Sequence, residues 1–88
     1  MDIMLAKSKA GHDKNQVYVI LERDDTYSLL ANGETKPIEK PKKKKNIHIQ
    51  IIKNLPEEVM NVVNEYDELS NLSIKRILKC FNRRNTNV

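Results

Sequence analysis

Apolar and polar residues alternate along the first 52 residues of the chain, a period of two that is typical of half-buried β-strands. The alternation is clearest over residues 17–22 and returns over residues 47–51, and two further strands are expected over residues 3–9 and 27–31. The pattern predicts about five short strands over residues 2–52. Such strands usually close into a small barrel because closure hides their edges.

Turn-forming residues separate these predicted strands. Asp24-Asp25 is a turn-prone pair, and Asn32-Gly33 is a strong signal for a short hairpin because both residues accept positive φ. Proline cannot donate to a strand ladder, so the segment between Pro37 and Pro41 is expected at the edge of the sheet or outside it.

The period changes to that of a helix after Asn54. Helices are predicted near residues 55–67 and 70–83, the first opened by a capping box of Asn54 with Glu57. The residues expected to pack the helices are Val59, Val62, Tyr66, Ile77 and Phe81. The predicted fold is mainly β with C-terminal α: a small barrel over residues 1–53 and a helical hairpin over residues 54–88, packed together as one structural unit.

Charge is divided unevenly among the 88 residues, which suit one small domain. Residues 1–53 carry a net +4, residues 54–69 a net −5 and residues 70–88 a net +5. This division favours a polyanion partner. No apolar stretch approaches the roughly 20 residues that span a bilayer. Cys80 is the only cysteine, so an intramolecular disulfide is impossible, which is consistent with the cytosol. We expect a cytoplasmic protein, a monomer, with no membrane partner.

Five lysines, which we call the lysine run (Lys40 and Lys42–Lys45), are interrupted only by Pro41. Lysine ammonium groups attract phosphates and release counterions, which gives binding that depends on salt and little on sequence. A solvated loop shows the same composition, and a nuclear-import or lipid-surface signal is a further alternative. The flanking strands and the stiffness of proline favour a held binding loop.

The segment of residues 8–15 is a second candidate. Gly11 and Asn15 both tolerate left-handed backbone, so a tight turn there would present His12 and Lys14 outward. From periodicity alone, an ordinary loop between strands explains the segment better.

Gly11 followed by Asp13-Lys14, between two alternating strands, resembles the KOW motif. Residues 8–14, 27–33 and 39–45, followed by His48, are similar to one branch of KOW-domain RNA-binding proteins, related to the large-subunit ribosomal protein family called fourteen-e. The resemblance covers roughly residues 3–50. His12 and Lys36 depart from it, since the family favours arginine at both positions.

The resemblance implies an SH3-like barrel that binds RNA, often ribosomal RNA, through its loops. The implied RNA contacts are Lys9, His12, Lys14, Lys36, Lys40, Lys42, Lys43, Lys44, Lys45 and His48. The loop positions given a structural role are Gly11, Asn15, Asn32 and Gly33. We therefore expect a ribosome-associated protein.

Other classes of function find little support in the sequence. His12-Asp13 has no nucleophile with a predictable place beside it, and the histidines show no metal-ligand spacing, so neither an enzyme nor a metal or cofactor site is expected. The alternative that stays open is a protein-interaction adaptor. Its barrel and its acidic first helix would then face a basic partner.

Overall fold

The computed structural model describes residues 1–86 and contains a five-stranded sheet followed by two helices. In chain order the elements are β1 (Met4–Ser8), β2 (Val17–Arg23), β3 (Tyr27–Ala31), β4 (Lys42–Lys45), a 3-10 turn (Asn46–His48), β5 (Ile49–Ile52), α1 (Glu57–Val63) and α2 (Asn71–Thr86). None of the helices in residues 1–86 is both long and apolar enough to cross a bilayer.

The strands form one antiparallel sheet in the order β4-β3-β2-β1-β5. The sheet curls into a half-barrel, with an irregularity in the β2–β3 register between Ile20 and Glu22. The 3-10 turn carries the chain from one edge strand, β4, to the other, β5. The predicted fold class, a small β-barrel followed by a helical pair, is confirmed.

The two faces of the sheet support two separate apolar clusters. The outer face packs against both helices and contributes Leu5, Val19 and Ala31 to their shared core. The helical residues buried in that core are Val59, Val63, Ile74, Ile77, Leu78 and Phe81. The inner face holds a smaller cluster without helical members, formed by Ala6, Tyr18, Ile20, Leu30 and Ile49. The curl of the sheet must therefore cover this inner cluster.

The chain between β3 and β4 differs from the sequence prediction. Asn32-Gly33 does not form a two-residue hairpin, because residues 32–41 make a longer loop. The Asn32 amide oxygen accepts hydrogen bonds from the backbone N–H groups of Glu34 and Lys36 and so organises this loop. The lysine run is also not a loop throughout, since Lys42–Lys45 is the edge strand β4.

The later elements also need correction. Ile47 was predicted in the last strand, but it lies in the 3-10 turn and is 73% exposed. The capping box of Asn54 with Glu57 does not form, because Pro56 precedes the first turn of α1 and gives it no side-chain cap. That helix ends at Val63, earlier than predicted, whereas α2 continues to Thr86.

The start of α2 is tied to the β3–β4 loop. Asn71 accepts the backbone N–H of Ile38 at 2.8 Å and donates to the Glu39 carboxylate at 2.7 Å. Gly33, at φ 81°, passes so close that a Cβ there would lie 2.5 Å from the Asn71 carbonyl oxygen. The β3–β4 loop therefore packs against the start of α2 at Gly33, where the backbones are too close for a side chain.

Candidate nucleic-acid interface

The pleat of β4 divides its four lysines between two faces of the sheet. Lys42 lies opposite Leu30 in the ladder and Lys44 lies opposite Ser28, both on the inner face. Because successive side chains of a strand point to opposite sides, Lys43 and Lys45 lie on the outer face. One uniform run in the sequence thus becomes two pairs in different environments.

The inner pair binds the carboxylate of Asp13 in the β1–β2 loop. Lys44 Nζ lies 2.7 Å from Asp13 Oδ1, and Lys42 Nζ lies 2.9 Å from Asp13 Oδ2. Lys44 also donates to the carbonyl oxygen of Ala10 at 2.9 Å. The side chains of Asp13 and Lys44 are only 12% and 11% exposed, so this ion pair is largely withdrawn from water. We call these three charged residues the Asp13 clamp.

Two hydroxyl groups complete the surroundings of Asp13. The Tyr18 hydroxyl donates to Oδ2 at 2.8 Å, and Ser8 Oγ lies 2.9 Å from Oδ1. Burial by itself would raise the pKa of the Asp13 carboxyl. The hydrogen bonds from the lysines, led by Lys44, and from the hydroxyls outweigh it and hold that pKa well below its usual range. Burial and the hydrogen bond to Asp13 raise the pKa of the Tyr18 phenol.

Backbone hydrogen bonds close the β1–β2 loop at its base. Gly11 and Asn15 adopt φ angles of 87° and 76°, so their predicted left-handed conformations are confirmed. The Asn15 N–H donates to the Ser8 carbonyl at 2.9 Å, and the Lys9 N–H donates to the His48 carbonyl at 2.8 Å. The second bond joins the loop to the 3-10 turn, which brings two segments of the predicted site together.

Most of the predicted RNA contacts are exposed cations or imidazoles. The exposed members of this group are Lys9, His12, Lys14, Lys40, Lys43, Lys45 and His48. No hydrogen bond or ion pair within residues 1–86 engages the side-chain nitrogens of these exposed residues. Lys36 is half-buried in the β3–β4 loop, where its backbone N–H donates to the Asn32 amide oxygen.

The outer face of β4 carries an aromatic contact that the sequence interpretation did not assign. Lys43 Nζ lies 4.4 Å from the centre of the half-buried Tyr27 ring, within the range of a cation–π interaction. Beside it, the backbone N–H groups of Tyr27 and Thr26 donate to Asp24 and lower the pKa of its carboxyl. The Tyr27 ring therefore contacts the Lys43 ammonium group without neutralising its positive charge.

The sequence interpretation gave the Asp13 carboxylate no binding or structural role. Asp13 appeared there only in the KOW-like motif and in the His12-Asp13 pair that was set aside as a catalytic site. An acidic residue among glycine and lysines, followed five residues later by a tyrosine, was the available signal. The ladder register that places Lys42 and Lys44 beside it could not be read from the sequence.

The acidic segment is partly paired with α2. Glu65 Oε2 lies 3.1 Å from Arg76 Nη1, and Glu58 Oε1 lies 3.1 Å from Arg84 Nη1. Two of the five acidic side chains proposed to face a basic partner thus already contact cations of the same chain. In residues 1–86, no three histidine, cysteine or acidic side chains are grouped as a metal site would need.

No protein-family model matches this chain, and no curated protein matches it either. The class that its structure defines is a small, partly open β-barrel with a helical pair on its outer face. The resemblance to KOW-domain proteins stays a prediction.

Proposed function

We propose that this protein binds structured RNA, ribosomal RNA in particular, without catalysing a reaction. The observation that carries the proposal is the sorting of the lysine run. The ammonium groups of the inner pair are held by Asp13, whose single carboxylate offsets one of their two charges, whereas Lys43 and Lys45 are exposed on the outer face of an edge strand and form no salt bridge within residues 1–86. Phosphate contacts from such lysines supply affinity with little sequence preference.

The β1–β2 loop would supply the shape that selects a structured target. The Asp13 clamp fixes this loop against β4, so Lys9, His12 and Lys14 project from a rigid base. Because the loop is held in advance, it loses little conformational entropy on binding. The proposed interface therefore combines replaceable charge on β4 with a fixed loop beside it.

A ribosomal target and a cytoplasmic location follow from the resemblance to the fourteen-e family, and both belong to this proposal. The adaptor alternative has less support, because Glu58 and Glu65 are paired with arginines of α2. Exposed ion pairs of this kind are weak because solvent screens them, so a strongly basic partner could still compete for them.

The test removes the charges of the two outer lysines of β4 and leaves the inner pair in place. The variant Lys43→Gln with Lys45→Gln should fold as the parent does, because neither ammonium group is part of the clamp. If each lysine neutralises one phosphate, the slope of log K against log salt should flatten by about 1.8 units, at roughly 0.9 per contact as for duplex DNA. Binding to an RNA duplex is measured by fluorescence anisotropy over a salt series.

The matched control is Lys7→Gln with Lys53→Gln, which removes the same charge from two exposed lysines that the proposal does not use. Its slope should stay close to that of the parent. An equal slope for both variants would contradict the proposal. The lysines of β4 would then serve only to keep an edge strand from pairing with other chains.

A further inference from the structure

An open groove of about 830 Å³ lies between α2 and the ends of the two long loops. Gln16 and Asn32 line its loop side, while Leu72 and Lys79 belong to its helical side. The helical wall of the groove is formed by residues 72–83. This wall lies outside residues 3–50, the part of the chain that the KOW resemblance covers. No role has been given to this face of the helix so far.

The helical wall is strongly basic. Lys75 and Lys79 are one turn apart on the same face of α2, both exposed, and no hydrogen bond or ion pair within residues 1–86 engages either ammonium group. Arg76 and Arg83 also line the groove, and Arg76 is already bound to Glu65. Of the described lining residues only Glu34 is acidic, so the groove as a whole attracts anions.

The position of Lys75 is fixed by the fold. Its Cγ lies beside Gly33, where an added Cβ would approach it to 2.8 Å, so the stem of the lysine packs against the β3–β4 loop. A charged group on a held stem is suited to a defined contact, since less side-chain entropy is lost on binding. The groove is therefore organised before any ligand arrives.

The groove also continues towards the proposed RNA interface. Gln16, at its loop end, is two residues from Lys14, and the Gln16 N–H donates to the Asp13 carbonyl at 2.9 Å. The Asp13 clamp thus anchors a loop that borders the groove as well as β4. A long polyanion that contacts this loop would therefore also lie at the end of the groove that Lys75 and Lys79 line.

We propose that the α2 groove is a second contact site for the phosphate backbone of RNA, with Lys75 and Lys79 as its phosphate ligands. The inference rests on the proposed function, because the same RNA would bind β4 and the groove together. It gives the C-terminal helix a binding role and extends the interface around the β1–β2 loop. The exposed Leu72 and half-buried Val17 would contact sugars rather than charges.

The experiment compares the parent with Lys75→Gln plus Lys79→Gln, using a mixed-sequence RNA duplex over a salt series. Glutamine keeps the Cγ that contacts Gly33, so folding should be preserved, and thermal melts check this. We expect the slope to flatten by about 1.8 units, or about 3.6 when the β4 variant is added. Arginine at both positions should restore the parent slope. If the pair fails to fold, Lys79→Gln alone should flatten it by about 0.9 units.

The matched control is again Lys7→Gln with Lys53→Gln, which removes the same net charge from two exposed lysines outside both the groove and the outer face of β4. A folded α2 variant with the slope of this control would overturn the inference, even where the β4 variant still weakens binding. An acidic protein segment would then be the alternative ligand for the basic groove. A parent protein that binds no RNA duplex would overturn the inference and the proposed function together.

Discussion

Replacing Asp13 with alanine is expected to lower the free energy of unfolding by about 3 kcal/mol, the low end of the cost of breaking a buried ion pair. The substitution removes the acceptor for Lys42, Lys44 and the Tyr18 hydroxyl. Lys44, at 11% exposure, would be left with only the Ala10 carbonyl as a hydrogen-bond partner. For a domain of this size the loss corresponds to a fall in Tm of about 15 °C.

Urea unfolding of the parent and the variant measures this effect, and Asp25→Ala is the control. The Asp25 side chain is exposed, and no hydrogen bond or ion pair within residues 1–86 engages it. That control should stay within about 0.5 kcal/mol of the parent. A similarly small loss for Asp13→Ala would show that the clamp contributes nothing to the fold.

The same pair of proteins carries a pH signature. The folded pKa of Asp13 lies below the unfolded value of about 3.9, so the unfolded chain takes up the proton first as the pH falls. The stabilisation from Asp13 is complete above about pH 5 and is lost progressively below it. The stability of Asp13→Ala should therefore decline less between pH 5 and acid than that of the parent.

Gly33→Ala is the second substitution with a large expected effect, a loss of about 3 kcal/mol in the free energy of unfolding. A left-handed conformation costs alanine about 1–2 kcal/mol, and overpacking adds about 1–3 kcal/mol. The new Cβ would lie 2.5 Å from the backbone oxygen of Asn71 and 2.8 Å from Lys75 Cγ. Backbone cannot move aside as a side chain can, so the loop and α2 must separate.

Gly11→Ala serves as the comparison, because Gly11 has a similar φ of 87° without the close contact. Its added Cβ would lie 3.6 Å from Asp13 Oδ1 and 3.7 Å from Lys44 Nζ, which are ordinary distances. We expect it to lose only the conformational share, about 1–2 kcal/mol. Equal losses for the two glycines, measured by urea unfolding, would contradict the close packing at Gly33.

The sequence predicted the fold class because its two periods are local properties of the chain. Alternation before residue 52 and helical spacing after Asn54 each report which face of an element is buried. The change from strands to helices after Asn54 could therefore be predicted from the sequence. The helical core residues Val59, Ile77 and Phe81 were predicted correctly for the same reason.

The strand formed by the lysines could not be predicted in the same way. Four identical residues have no alternation, so neither their period nor their faces can be read from them. Their register is set by pairing with β3, and the two inner ammonium groups share the carboxylate of Asp13, some 30 residues earlier in the chain. The prediction for Ile47 was wrong for the opposite reason. Apolar and polar residues do alternate over residues 47–51, but Ile47 and His48 belong to a 3-10 turn and not to a strand.

The most direct test of the account is NMR of the lysine ammonium groups with and without an RNA duplex. We expect the signals of Lys43 and Lys45 to shift on binding and to return at high salt. The signals of Lys42 and Lys44 should stay unchanged and exchange slowly with water, because both groups remain bound to Asp13. Equal shifts for all four lysines, or shifts confined to the inner pair, would contradict the division of the run into a clamp and a binding face.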